Sequence, residues 1–243
     1  MLRPTAGLRG YATAAQQRLR MLIVGCPVRM PVLTQGSGKG TLSARIQKKY
    51  EVPIITAGDL LRWHTTHGTE LGREASAVIR AGKLMPDKTM MALVGQKLEE
   101  MGDSDWILDG FPRTGGQATL LDEVLRSQNR PLSLVVNLRV PEEVILQRVL
   151  DRNLSYNPPK NPGVDDVTGE PLEKREDDNP ETFRKRIESF HAQTEPMIDY
   201  FRSVASPSNP SEPLLVDLAG STSNEIWPKL QHAIESRFAY LRK

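Results

Sequence analysis

Residues 21–25, MLIVG, followed at 36–50 by GSGKGTLSARIQKKY, decide the fold. The first is a short, continuous apolar run of the kind that forms a strand buried on both faces. The second is a glycine-rich turn that opens a helical pattern. Strand, turn and helix in that order present backbone N–H groups, at the positive end of the helix, to the oxygens of a phosphate. Gly36, Ser37, Gly38 and Gly40 make the turn, and Lys39 is placed to reach the outer phosphates of a bound nucleotide. The hydroxyl of Thr41 is placed to support phosphate or magnesium contacts.

The spacing departs from that pattern. A P-loop sets its first glycine five positions before the glycine that precedes lysine, so that a nest of N–H groups closes around the phosphates. Here Gly25 precedes Gly38 by thirteen positions, and position 33 is Leu. Without Val28 to Gln35 the chain would read Gly-Cys-Pro-Gly-Ser-Gly-Lys-Gly-Thr, an unbroken loop. The eight extra residues must bulge outward if the phosphate site is to form.

Further apolar runs follow at 52–56 (VPIIT), 106–110 (WILDG), 132–138 (LSLVVNL) and 214–218 (LLVDL). Helical patterns lie between them, at 70–81, 86–101, 115–127 and 181–203, with a last helix from about Ser223. On that last helix Ile226, Leu230, Ile234, Phe238 and Leu241 share one face. Five runs alternating with helices predict a three-layer α/β sandwich around a five-stranded parallel sheet, with its site at the carboxyl ends of the strands.

Composition excludes several classes. No apolar run approaches the ~20 residues of a membrane span, while a net charge of +2 argues neither for nor against nucleic acid, which is not expected as a partner. Cys26 is the single cysteine, so a disulfide framework and a thiolate zinc site within one chain are excluded, and it reads as a small packed residue. His64 and His67 are three apart with no third ligand in view and read as a surface pair. No Asp or Glu precedes Glu51, while Arg3, Arg9, Arg18 and Arg20 stand among Leu, Ala, Thr and Gly. Residues 1–20 thus have the make-up of a mitochondrial import segment, leaving 21–243 as the folded core.

Three motifs follow: Thr56-Ala57-Gly58-Asp59-Leu60-Leu61-Arg62, Ala81-Gly82-Lys83-Leu84-Met85-Pro86-Asp87, and Asp109-Gly110-Phe111-Pro112-Arg113-Thr114-Gly115-Gly116-Gln117. With the GSGKGT turn they resemble the adenylate kinase family from about Met21 to about Tyr200, DGFPR being the most specific element. The resemblance implies a monophosphate-binding insert at about 56–85 and a lid insert at about 148–184. It implies that Arg62 and Arg113 hold the phosphate of AMP and that Gln117 reads the adenine edge. The backbone at Ala57, Gly58, Lys83, Leu84, Met85 and Gly110 would line the same pocket. Arginine suits this work because its planar fork binds phosphate oxygens in pairs. Ala57 stands where the family usually has Thr or Ser, which removes a hydroxyl from the pocket. Asp109 ends an apolar run, where P-loop enzymes hold Mg²⁺ or its water shell.

Residues 153–180, rich in Pro, Gly, Asn and charge, interrupt the α/β rhythm and read as a lid. By the same resemblance Arg148 and Arg152 would hold the donor nucleotide, and Arg175 and Arg186 the transferring phosphates. Between Arg152 and Asn153 the family's Ser-Gly-Arg-Val-Tyr hairpin is absent, which removes part of the donor clamp. The cysteine-free lid with NPPK, DDVTGEPL and REDD is most similar to the zinc-free branch containing mitochondrial GTP:AMP phosphotransferases.

The expected chemistry is reversible, Mg²⁺-dependent phosphoryl transfer from GTP or ATP to AMP by a monomer in the mitochondrial matrix. Lys39, Arg113, Arg148, Arg175 and Arg186 would supply the stabilising charge. Two other readings stay open: a UMP/CMP-type kinase, and a nucleotide-binding member impaired by the 28–35 insertion and the shortened lid.

Overall fold

The computed structural model describes residues 17–25, 39–80, 85–145, 191–207 and 211–242. Five strands form one sheet: β1 (Arg20–Gly25), β2 (Ile54–Thr56), β3 (Trp106–Asp109), β4 (Leu134–Arg139) and β5 (Leu215–Ala219). Their order is β2-β3-β1-β4-β5 and every pairing is parallel. Around them lie α1 (Lys39–Tyr50), α2 (Ala57–Thr66), α3 (Glu70–Arg80), α4 (Asp87–Met101), α5 (Gly115–Ser127), α6 (Glu195–Ser203) and α7 (Ser223–Arg237).

The continuous apolar runs explain the layering. All six residues of β1 and all four of β3 are buried, because alternate side chains point to opposite faces and both faces are covered. Met21 and Ile23 join one core with Leu42 and Ile46 of α1 and Ile226, Leu230 and Ile234 of α7. Leu22 and Val24 join the other with Val94 and Leu98 of α4, Leu121 of α5, and Met197 and Phe201 of α6. A smaller cluster of Leu61, Ala75, Met85 and Leu93 packs α2 and α3 together outside these layers. The three-layer sandwich read from the sequence is therefore the observed one.

Local chemistry sets the element boundaries. β2 begins only at Ile54, since Pro53 has no N–H for the ladder, although its carbonyl still accepts Ile107 N–H at 3.0 Å. Thr114 and Thr222 cap α5 and α7 by accepting the N–H of Gln117 and Glu225. Phe238 and Leu241, expected on the last helix, are buried as foreseen but lie beyond it, Leu241 in a 3₁₀ turn.

The helix expected over 181–203 is not continuous. Residues 181–190 lie outside the described residues; beyond them a turn at 191–193 ends at Thr194, and α6 restarts at Glu195. Pro196 accounts for the break, because it has no N–H to donate to a carbonyl in the preceding turn. His191 spans the break, bonding Glu195 Oε1 through Nδ1 at 2.7 Å and Glu142 Oε1 through Nε2 at 3.2 Å.

Hydrogen bonding to Glu195, reinforced by Glu142, holds the His191 imidazole above its ordinary pKa. A raised histidine pKa means that the stabilisation is complete below the unfolded-state value and is lost as pH rises through the folded-state value. Because all three groups are half-exposed, the effect is expected to stay under about 1 kcal/mol. His191→Gln should therefore melt below the parent at mildly acid pH, and the gap should close toward alkaline pH. Thermal melts of both proteins across that range check this.

Candidate active site at the carboxyl edge of the sheet

The site is built beyond the carboxyl ends of β1, β2 and β3. β1 ends at Gly25, where the backbone φ is +156° and a Cβ would lie 3.0 Å from both Cβ and the carbonyl oxygen of Leu138. Only glycine fits so close to β4. The Gly25 carbonyl in turn accepts a hydrogen bond from Lys39 Nζ at 3.4 Å, with Lys39 only 3% exposed. The two ends of the interrupted loop are therefore side by side, although fourteen positions separate them in the chain. Gly40 is exposed and Thr41 half-buried at the start of α1. Gly36, Ser37 and Gly38 lie outside the described residues, as does Cys26.

β3 ends at Asp109, which is paired in register with Ile23 of β1 and Thr56 of β2. Asp109 is 4% exposed, and its Oδ1 has no hydrogen-bond partner among the described residues. Burial pushes its pKa above the ordinary carboxylate value, while the charges of Lys39 and then Arg113 pull it back. An unpaired, buried carboxylate oxygen facing cationic groups fits a hard, hydrated divalent cation, whose waters would donate the missing hydrogen bonds.

The chain then turns at Gly110, whose φ of +82° suits glycine, and passes a cis Phe111–Pro112 bond. Arg113 follows, and three hydrogen bonds fix it. Its Nε donates to the Gly110 carbonyl at 2.8 Å, and its backbone N–H donates to Gln117 Oε1 at 2.8 Å. Its carbonyl accepts the Thr194 hydroxyl at 3.1 Å. Thr114, next in the chain, caps α5. Gln117 is buried, and its Nε2 donates to Asp87 Oδ1 at 2.7 Å.

On the other side, Ala57 is buried as the first residue of α2, Gly58 follows half-buried, and Arg62 pairs with Asp59 one turn earlier. Met85 is buried against Leu61 and Leu93. Lys83, Leu84 and the lid arginines Arg148, Arg152, Arg175 and Arg186 lie outside the described residues. His64 and His67 are each bonded locally, to Thr69 and to the Trp63 carbonyl, and His67 stacks on the Trp63 ring.

The structure brings together Lys39, Asp109, Arg113 and Gln117. It adds two residues that sequence reading did not assign, Asp87 behind Gln117 and Thr194 behind Arg113. Asp87 stood inside a quoted motif with no role assigned to it, and Thr194 had only the nearby Pro196 as a signal.

Residues 32–206 match the adenylate kinase family. The chain belongs to that family. The match begins within the inserted stretch and leaves β1 outside it, yet β1 is the central strand. A mitochondrial GTP:AMP phosphotransferase of Saccharomyces cerevisiae is 41% identical, over 90% of this chain and 94% of its own. A second, from strain S288c of that yeast, is 44% identical over 76% and 85%. An adenylate kinase of Streptomyces coelicolor is 38% identical over 76% and 87%. The protein is thus an enzyme of the nucleoside monophosphate kinase type, with nucleotide substrates.

Asp109 gives a direct test of the site. Its raised pKa means that it burdens the fold as pH rises through the folded-state value, and not below the unfolded-state value. Asp109→Asn should therefore melt above the parent at neutral pH, by about 1 kcal/mol or roughly 2–4 °C, and show no gain in strong acid. Added Mg²⁺ with a nucleoside triphosphate should stabilise the parent and not the variant. Scanning calorimetry with and without the ligands reads both.

Proposed function

We propose that the chain catalyses reversible, Mg²⁺-dependent phosphoryl transfer from GTP or ATP to AMP. The observation that carries this reading is the convergence of Lys39, Asp109 and Arg113 at the ends of β1 and β3. It persists despite the eight extra residues before the turn. Names of the yeast and bacterial relatives support the same acceptor, and those of the yeast relatives support GTP as donor.

The nucleophile is an AMP phosphate oxygen, already ionised near neutral pH, so no general base is needed. The protein's contribution is position and charge. Lys39, anchored on Gly25, would meet the outer donor phosphates, with Thr41 and the GSG turn beside it. Arg113, held by Gly110, Gln117 and Thr194, would meet the acceptor phosphate. Arg62 would leave Asp59 to join it, and Gln117 would read the base. Arg148, Arg152, Arg175 and Arg186 would complete the charge when the lid closes and excludes water. Mg²⁺, held by Asp109 through water, would neutralise charge on the donor phosphates.

We assign the enzyme to the mitochondrial matrix on the basic, acid-free character of residues 1–20 and on the mitochondrial names of the yeast relatives. No helix among the described residues is long and apolar enough to cross a membrane. Trp63 is the one large hydrophobic side chain exposed among the described residues, which supports a monomer.

Two measurements test this reading. A coupled assay across donors and across AMP, UMP and CMP should show turnover with AMP. Arg113→Glu should lower that turnover by about 10² or more in protein shown to be folded by circular dichroism. Transfer to no monophosphate, by this chain or by one lacking residues 28–35, would favour the impaired nucleotide-binding reading. In cells, removal of residues 2–16, which leaves Leu19 and β1 in place, should abolish mitochondrial import of a tagged protein, and unchanged localisation would refute the import role.

A further inference from the structure

Gln117 is bonded at both ends of its amide. Its Oε1 accepts the backbone N–H of Arg113 at 2.8 Å, and its Nε2 donates to Asp87 Oδ1 at 2.7 Å. A backbone N–H only donates and a carboxylate only accepts, so the two partners admit one orientation of the amide. Turned by 180°, the amide would set donor against donor at Arg113 and acceptor against acceptor at Asp87. Gln117 is 4% exposed, so water is not at hand to make good the loss. Asp87 is held in place as the first residue of α4, and its second oxygen is approached by the Thr114 hydroxyl at 3.5 Å.

With both partners engaged, a primary amide keeps one N–H and one oxygen lone pair. Adenine presents an acceptor at N1 beside a donor at its 6-amino group, which matches that remaining pair. Hypoxanthine and guanine present the reverse, a donor at N1 and an acceptor at O6. They match only the reversed amide.

We propose that Asp87 is a specificity-determining positioning residue, which fixes the Gln117 amide so that the monophosphate pocket accepts a 6-aminopurine and rejects a 6-oxopurine. The inference rests on Gln117 reading the base, as proposed above. It concerns discrimination rather than grip, because the phosphate is held elsewhere. A site that leaves its own buried polar groups mismatched rejects a ligand far more strongly than one that merely lacks a contact.

The test is calorimetric titration of the full chain, without donor, by AMP, IMP and ribose 5-phosphate. AMP and IMP differ only at positions 1 and 6 of the base, and ribose 5-phosphate reports the phosphate grip alone. In Asp87→Asn the partner amide no longer opposes the reversed Gln117, so reversal meets one mismatch, at the Arg113 N–H, instead of two. The ratio of AMP to IMP affinity should then fall by about tenfold or more, through weaker AMP and tighter IMP binding. The affinity for ribose 5-phosphate should not change. Asp87→Ser, whose hydroxyl likewise does not oppose the reversal, should lower the ratio in the same direction, and Asp87→Glu, which keeps the carboxylate, should retain more of it.

An unchanged ratio in folded Asp87→Asn or Asp87→Ser would overturn the inference. So would parallel weakening of all three ligands, the mark of simple damage to the start of α4. Should the parent itself bind AMP and IMP alike, Gln117 is no base reader, and both readings of the pocket fall together. A parent that prefers AMP beside variants that still do so removes only the role of Asp87.

Discussion

A carboxylate buried at the end of an interior strand, with one oxygen unpaired, is the constraint around which the site is arranged. The register of β3 with β1 and β2 fixes where Asp109 stands, and only 4% of the residue is exposed. An isolated charge in such a place costs several kcal/mol. The cations whose charge offsets that cost, Lys39 and Arg113, arrive from different directions. Lys39 comes from the first turn of α1, anchored on Gly25, and Arg113 from the turn after Gly110. A site that concentrates positive charge around one incompletely paired carboxylate is prepared for phosphates and a divalent cation together. The same arrangement makes the ligand-free protein less stable than its core alone would allow.

The interruption of the phosphate loop is easier to reconcile with this geometry than its length suggests. Closing a loop of thirteen positions rather than five costs only about 0.8 kcal/mol more in chain entropy, since that cost grows with the logarithm of length. Against it stand six fully buried strand residues, paired on both sides, and a helix that buries Leu42, Ile46 and Tyr50. The ends of the loop are set by the sheet and by α1, and the residues between them have little leverage over where those ends stand. Phosphate binding asks more of the loop than closure, because its N–H groups must point inward.

The fold was legible where chemistry is local. Continuous apolar runs marked all five strands, because both faces of a parallel sheet are buried. The helix expected over 181–203 was drawn through Thr194, because its apolar spacing outweighed the signal of Pro196. The site was legible only in part, for a similar reason. Lys39, Asp109 and Arg113 carry their meaning in short motifs, whereas Asp87 and Thr194 acquire theirs from partners 30 and 81 positions away. A carboxylate after a proline reads as the start of a helix, and nothing in its neighbours reveals that it faces an amide on another element.

Those two residues also join parts of the site that look separate. Asp87 at the head of α4 bonds Gln117, Gln117 bonds the Arg113 backbone, and the Arg113 carbonyl bonds Thr194 at the head of α6. Three helix starts thus share one run of hydrogen bonds, with the Arg113 backbone in its middle. Thr194 can reach Arg113 because Pro196 breaks the helix there, and His191 ties the same break to Glu142, which follows β4. Residues 146–190, which include the lid arginines, run between Glu142 and His191. Their two flanks are therefore bonded to each other, and through Thr194 one of them bears on Arg113. A pull on either flank therefore acts on the backbone of Arg113, without needing a separate path through the core.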